Sequence, residues 1–417
     1  MTRTTEPYAR PGTPVPPSAG APSPGPRTVA FYLPQFHAIP ENDAWWGEGF
    51  TEWTNVRRAA PLFDGHEHPR RPGALGTYDL TDPSVVHEQA RLAADAGVDA
   101  FCMYFYWFDG HRLLEKPLDA YLAAGPDFPF CLSWANENWT RRWDGKDQEV
   151  LIGQDYREET PEEVFAALAP YLSDPRYLRQ DGAAVLLVHR ADHLPDGDRY
   201  ARVWRAEAER RGIGALYLVA AETTPGLDPR PLGFDAVAEF PPVGANTLAA
   251  ARLRPVDGLT PAFRGRLLSY PRMAGRFERR RAERGFVRHS GVMPGWDNTA
   301  RRGDAATVYV DSSPARYAAW LRSARARERR IRGGRGLVFV NAWNEWAEGA
   351  YLEPDATYGS AYLEATRPEG TDRGAPPPAV RSGRPGRGYL RSLLNAGMSS
   401  GLAWARVSRR LLQRAAR

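Results

Sequence analysis

The chain has 417 residues, 42% of them hydrophobic and 25% charged, enough to bury a sizeable core either as one large barrel or as two ordinary domains. Its longest apolar runs, such as AAVLLVH, are strand-sized and far short of the roughly 20 residues that carry a helix across a bilayer, so a soluble or peripheral protein is expected. The net charge of +5 gathers in RFERRRAER (276 to 284) and in an Arg-rich stretch from 381 onward, but no zinc-finger spacing or RNP signature accompanies it, and nucleic acid is not expected as a partner.

Residues 1–27 are rich in Pro, Ser, Gly and Thr and lack the apolar stretch of a secretory signal, which predicts a disordered leader and a cytoplasmic location. Eight short β-branched or aromatic runs then follow: 28 to 34, 98 to 107, 128 to 134, 183 to 189, 215 to 221, 234 to 240, 287 to 295 and 336 to 343. Helical patterns lie between several of them. One opens on the cap Thr81, Asp82, Pro83, carries Val85, Val86, Ala90, Leu92 and Ala93, and stops at Gly97. Cys102 and Cys131 sit inside two of the strand runs and read as buried thiols. Strand and helix alternating eight times predict an α/β fold, a (β/α)8 TIM barrel. The alternative, a doubly wound open sheet, lacks a GxGxxG after its first strand.

The expected catalytic domain spans 28–368, followed by a Pro/Gly/Arg linker (369–387) and a basic amphipathic tail (388–417). Leu390, Leu393, Leu394, Leu411 and Leu412 with Arg406, Arg409, Arg410 and Arg414 around Trp404 would suit peripheral contact with an anionic membrane. A loosely packed or disordered terminus is the other reading.

A barrel of this kind carries its site at the C-terminal ends of the strands. After the first run come His37, Trp46, Glu52 and Trp53; after the second, Tyr106 and Trp107; at the third, Trp134, Asn136, Glu137 and Trp139. The sixth ends at Glu239, the seventh precedes Trp296, Asp297 and Asn298, and the eighth runs into Asn344, Glu345, Trp346 and Glu348. Flat aromatics beside amides and carboxylates suit sugars, which offer apolar ring faces and polar edges, so these residues are the expected substrate-binding set. Glu345 and Glu348 are the expected catalytic pair, because glycosidic chemistry needs one carboxyl to move a proton at the bridging oxygen and a second group on the other side of the scissile bond. No cofactor is expected, and no metal: HExxH is absent, and His66 and His68 have no third ligand near them in the chain.

The segments YLPQFHAIPENDAWWGEGFTEWTNV, YFYWFDGHRLLEKPL, CLSWANENWTRRWDG, FDAVAEFPP, GWDNTARRG and VNAWNEWAEGAYLEPDATYG resemble, in order, the WbsX-like bacterial proteins that share a domain with glycoside hydrolase family 99. The resemblance covers most of residues 28 to 366. It implies a (β/α)8 barrel and a carbohydrate-active enzyme of lipopolysaccharide or other surface polysaccharide assembly. In the similar hydrolases, which act on α-mannosides, one Glu takes the proton of the sugar's 2-hydroxyl to form a 1,2-anhydro sugar and another serves as acid and then base. By position, Glu345 would be that base and Glu348 the acid/base, with the acid's pKa the one expected to be raised. Ala347 stands where the hydrolases have a His, so substrate recognition or reaction direction is open. A nucleotide-sugar transferase remains an alternative, with Arg141 and Arg142 standing in for the missing DxD as a diphosphate site, and so does a non-catalytic carbohydrate-binding barrel.

Overall fold

The computed structural model describes residues 25 to 141, 146 to 156, 160 to 283, 285 to 368 and 387 to 398. Most of the expected leader, the linker over 369 to 386, the tail over 399 to 417, Arg142 and Asp144 lie outside the described residues.

Eight parallel strands make the centre: β1 (Arg27–Tyr32), β2 (Ala100–Phe108), β3 (Phe130–Trp134), β4 (Ala183–Val188), β5 (Leu216–Ala221), β6 (Ala236–Ala238), β7 (Val287–Val292) and β8 (Leu337–Val340). Each pairs with the next, and β1 also pairs with β8, Arg27 opposite Leu337, so the sheet closes on itself. Closure excludes the open doubly wound sheet. The strands read as near-continuous apolar runs because a parallel barrel buries both faces of each one. Cys102 and Cys131 face each other across β2 and β3 as buried free thiols.

Helices α1 (Pro83–Asp95), α2 (Glu115–Ala124), α3 (Pro161–Leu172), α4 (Gly197–Arg210), α5 (Tyr270–Glu278) and α6 (Pro314–Arg332) fill most of the connections. The start of α1 follows its sequence signals: Asp82 accepts from Ser84 N at 2.9 Å, Pro83 takes the first position, and Val86, Gln89, Ala90 and Ala93 are buried. Gly97 then takes the left-handed conformation (φ 74°) that turns the chain into β2. The β5–β6 connection is shorter, with only a 3-10 turn at Arg230–Leu232. At the top of the barrel the Phe31 ring stacks 5.8 Å from Tyr104 and meets Phe240 edge-on at 5.0 Å, forming an aromatic floor.

One excursion departs from simple alternation. Between β6 and β7 the chain adds the short strand Arg266–Ser269, which pairs with Thr307–Val310 and shares a small second core of Phe63, Val256, Phe263, Leu267 and Val308. A helix over 387 to 398 docks against this excursion, so that part of the expected tail packs on the domain instead of lying free of it. Among the described residues no helix is long and apolar enough to cross a membrane.

Candidate active site

The loop after β8 forms a small hairpin in which Asn344–Glu345 pairs with Ala350–Tyr351 and the 3-10 turn Trp346–Glu348 lies between them. Residues i and i+3 of a 3-10 turn fall on one side, so Glu345 and Glu348 both face the barrel mouth. Gly349 ends the turn at φ 60°, and a Cβ there would lie 3.0 Å from that of Asp297, so both conformation and space demand glycine. Asp297 N also donates to Glu348 O at 2.6 Å, tying this hairpin to the loop after β7.

That second loop delivers Arg301. Its guanidinium lies 3.0 Å from Glu345 Oε2, 2.7 Å from Glu348 Oε1 and 3.2 Å from Glu52 Oε1, so the two glutamates of the hairpin sit on adjacent nitrogens of one arginine. Three carboxyl groups thus crowd one cation in a largely buried part of the mouth. Burial pushes Glu345 up to about 8, with Glu348 and Glu52 adding to the rise and Arg301 opposing it. Burial also opposes the charge on Arg301, but the three glutamates outweigh it and hold the guanidinium firmly protonated. Burial thus raises the carboxyl that the resemblance casts as the base. The Glu345 side chain is the deeper of the two, 7% exposed against 20% for Glu348.

Both carboxyls open into a cleft of about 540 Å³ at the C-terminal face. Of the residues expected in the binding set, Trp46, Tyr106, Glu137, Trp139, Trp296 and Asn298 line it. Glu52 stands behind Arg301, buried, and bears on the cleft through that arginine. The segment WANENW thus lies at the same end as Glu345, with Ala135, Glu137, Asn138 and Trp139 reaching the opening.

The remaining expected residues point elsewhere, because side chains near a strand end alternate between the barrel mouth and the helix layer. Trp134 faces outward against Tyr200 and Trp204 of α4. Trp107 lines a separate cavity with Asp109, Arg112 and Glu163. Glu239 is buried against Arg327 of α6 at 3.3 Å and accepts from Gly291 N at 3.1 Å. Asn136 closes its own loop, donating to Tyr156 Oη and Arg190 O and accepting from Arg190 N. Asn344 clamps both backbone groups of Leu33. His37 is fully buried and bonded to Pro34 O, Trp53 donates to Tyr78 O, and Trp346 stacks 3.8 Å from Tyr351 while donating to Glu353 at 2.6 Å. These nine, counting Asp297 below, do not line this cleft.

Asp297 is the most heavily used. Its Oδ1 accepts from Thr299 N, and its Oδ2 is 2.7 Å from both His66 Nε2 and His68 Nε2 and 3.3 Å from Arg70. Burial resists the charge, but His68 and His66 outweigh it and hold the carboxyl well below the usual range. The fold here supplies the third ligand-type side chain that the chain near His66 and His68 lacks. A metal fits this trio poorly: Leu62 N donates to His66 Nδ1 at 3.0 Å, so the proton must sit on Nε2, the atom a metal would need, and Arg70 crowds the same oxygen with positive charge.

Arg301 itself escapes the residue-by-residue reading, as do Tyr104 and His189 on the cleft wall. Gln35 donates to Tyr106 Oη at 3.0 Å and so fixes that ring at the mouth. The only signal for Arg301 was its place four residues after Asp297, in the loop that follows the seventh run.

A closed (β/α)8 barrel with a polar cleft of paired carboxylates and aromatic walls defines the class. Residues 28–366 match the family described as glycosyltransferase WbsX, and the chain belongs to that family. "Uncharacterized protein WxcX" of Xanthomonas campestris pv. campestris is 48% identical over 342 residues, 81% of this chain and 49% of that protein. Its counterpart in strain B100 is 47% identical over the same length. The chain thus spans about half the length of the curated relatives it matches. Among solved structures, one described as a glycoside hydrolase-like protein shares the fold, with 15% identity, 86% of this chain and 97% of that chain covered, and a TM-score of 0.53. The GH99 endo-alpha-mannosidase from Bacteroides thetaiotaomicron has 16% identity, coverage of 82% and 95%, and a TM-score of 0.47.

Proposed function

We propose that this cleft makes or breaks glycosidic bonds, on a mannose-like residue, within bacterial surface polysaccharide or lipopolysaccharide metabolism in the cytoplasm or at the inner face of the cell membrane. The observation that carries the reading is the seating of Glu345 and Glu348 on adjacent nitrogens of Arg301 at the mouth of an aromatic-walled cleft. Trp46, Trp139 and Trp296 offer faces for sugar rings, while Glu137 and Asn298 offer hydrogen bonds for their hydroxyls.

In this reading Glu345 is the base that takes the 2-hydroxyl proton and Glu348 the acid and then base at the bridging oxygen. A carboxylate raised to about 8 is a far stronger base than an ordinary glutamate, which suits removal of a proton from an alcohol, provided it has first lost its own. Arg301 steadies both carboxylates and keeps their oxygens fixed in relation to each other. A second reading, transfer from a nucleotide-sugar donor, is favoured by Arg190, Arg266 and Arg302 on the cleft wall, which suit a diphosphate.

The purified chain incubated with labelled α-mannans and, separately, with nucleotide-sugars, with products read by mass spectrometry, tests the proposal. Shortened or transglycosylated mannans support the first reading and donor-dependent products the second. Saturable binding of oligosaccharides with no turnover of any substrate would leave only a carbohydrate-binding barrel.

A further inference from the structure

The helix over 387 to 398 has two faces with different fates. Its inner face is spent on the domain: Tyr389 Oη donates to Arg252 O at 3.2 Å, Ser392 Oγ accepts from Leu267 N at 2.7 Å, Asn395 Nδ2 donates to Arg264 O at 2.6 Å, and Ala396 is wholly buried. On the other face Leu390, Leu394 and Met398 are 54%, 68% and 62% exposed. Their spacing of four residues sets them in one stripe along the helix. Leu253, 62% exposed, follows Arg252, whose carbonyl Tyr389 bonds.

This concentration is unusual for the molecule. Of seven large hydrophobic side chains that are exposed among the described residues, three lie in this one stripe. Single exposed leucines call for no explanation, but a contiguous group on a docked helix does. Charge identifies what would cover it: residues 373 to 417 carry ten arginines and no aspartate, glutamate or lysine, and Arg387 and Arg391 stand exposed on the helix itself.

We propose that this face seats on an anionic lipid bilayer, with Leu390, Leu394 and Met398 entering the headgroup region and Arg387 and Arg391 meeting lipid phosphates. An apolar stripe flanked by cations is the pattern of a helix lying in a membrane interface, where each signal alone binds weakly and the two together hold. Because the helix is hydrogen-bonded to the domain at three places, seating it would also fix how the barrel stands on the membrane. The inference is independent of the glycosidic reading, since partition needs no turnover.

The test is co-sedimentation of the full chain with vesicles of equal parts phosphatidylglycerol and phosphatidylcholine, against vesicles of phosphatidylcholine alone. Binding should require the anionic lipid and fall with added salt. The triple variant Leu390→Ser, Leu394→Ser, Met398→Ser should bind about tenfold more weakly or worse, with the circular dichroism spectrum and melting temperature of the parent because all three side chains are exposed. A companion variant with Leu390→Met and Leu394→Met should keep the parent's binding. No partition onto anionic vesicles, equal partition onto neutral ones, or a triple Ser variant that binds like the parent would overturn the proposal. So would binding of single-stranded RNA that displaces the chain from vesicles and ignores the stripe, which would assign the arginines to nucleic acid.

Discussion

Arg301 faces three carboxyl groups, and the consequences can be measured. Arg301→Met would leave Glu52 and Glu345 buried without a counter-ion, a change that costs about 3–5 kcal/mol when one partner of a buried pair is removed. The orphaned carboxyls can recover by taking up protons, so the loss should be smaller at pH 5 than at pH 8. Urea denaturation at both values checks this, and an equal loss at the two would contradict it. A related effect belongs to the unaltered chain. Burial raises Glu345 to about 8 and Glu353 to about 7, both above the value of about 4.3 for a free glutamate. Between those limits the folded chain holds more protons than the unfolded one, so the stability these groups contribute is full at low pH and is lost as pH rises through 7 and 8. Glu345→Gln should flatten the upper part of that slope in thermal melts taken from pH 5 to 9. At this scale the hairpin carboxyls were legible, because NEWAEG sets two acids three residues apart among aromatics at a strand end. Arg301 was not, since its partners Glu52, Glu345 and Glu348 lie 249, 44 and 47 residues away and nothing local marks the encounter.

Elements decide which side chains reach the cleft. Trp134 and Glu239 stand at strand ends, yet pleat alternation turns them toward α4 and α6. Type and position were legible there, but direction was not, because a Trp or a Glu suits a cleft and a buried contact equally. Trp346 teaches the same point inside the hairpin that carries Glu345 and Glu348. It stacks on Tyr351 and bonds Glu353, which also accepts from Gln89 and Tyr78, so it supports the loop that carries the two acids. Trp346→Ala should cost about 3–5 kcal/mol of stability, seen as a lowered urea midpoint. A loss below about 1 kcal/mol would mean the hairpin is held by other contacts. The helix over 387 to 398 was read from its leucines as an amphipathic tail, whereas docking runs through Tyr389, Ser392 and Ala396, residues whose role depends on the excursion after β6. Ser392→Ala removes the acceptor of the buried Leu267 N–H and should destabilise by about 1–3 kcal/mol, with hydrogen exchange rising at Leu267. Unchanged exchange there would count against the docked position.

For the whole molecule, all eight barrel strands were legible, since a parallel barrel buried on both faces writes each strand as an apolar run bounded by Gly, Pro or Asp. The excursion that carries Arg266 and the second small core was not, because its short strand pairs with residues some forty positions away. Barrel and loops together bring groups from β1, β2, β3, β7 and β8 around one cleft, and the central claim is that its Glu345 and Glu348 perform the chemistry. The most direct test compares the parent with Glu345→Gln and Glu348→Gln on one accepted sugar carrying either an ordinary or an activated aryl leaving group. Glu348→Gln should lose at least about a hundredfold in rate on the ordinary group and much less on the activated one, which needs little protonation, while Glu345→Gln should be impaired on both. Near-normal turnover by both variants on both substrates would contradict the account.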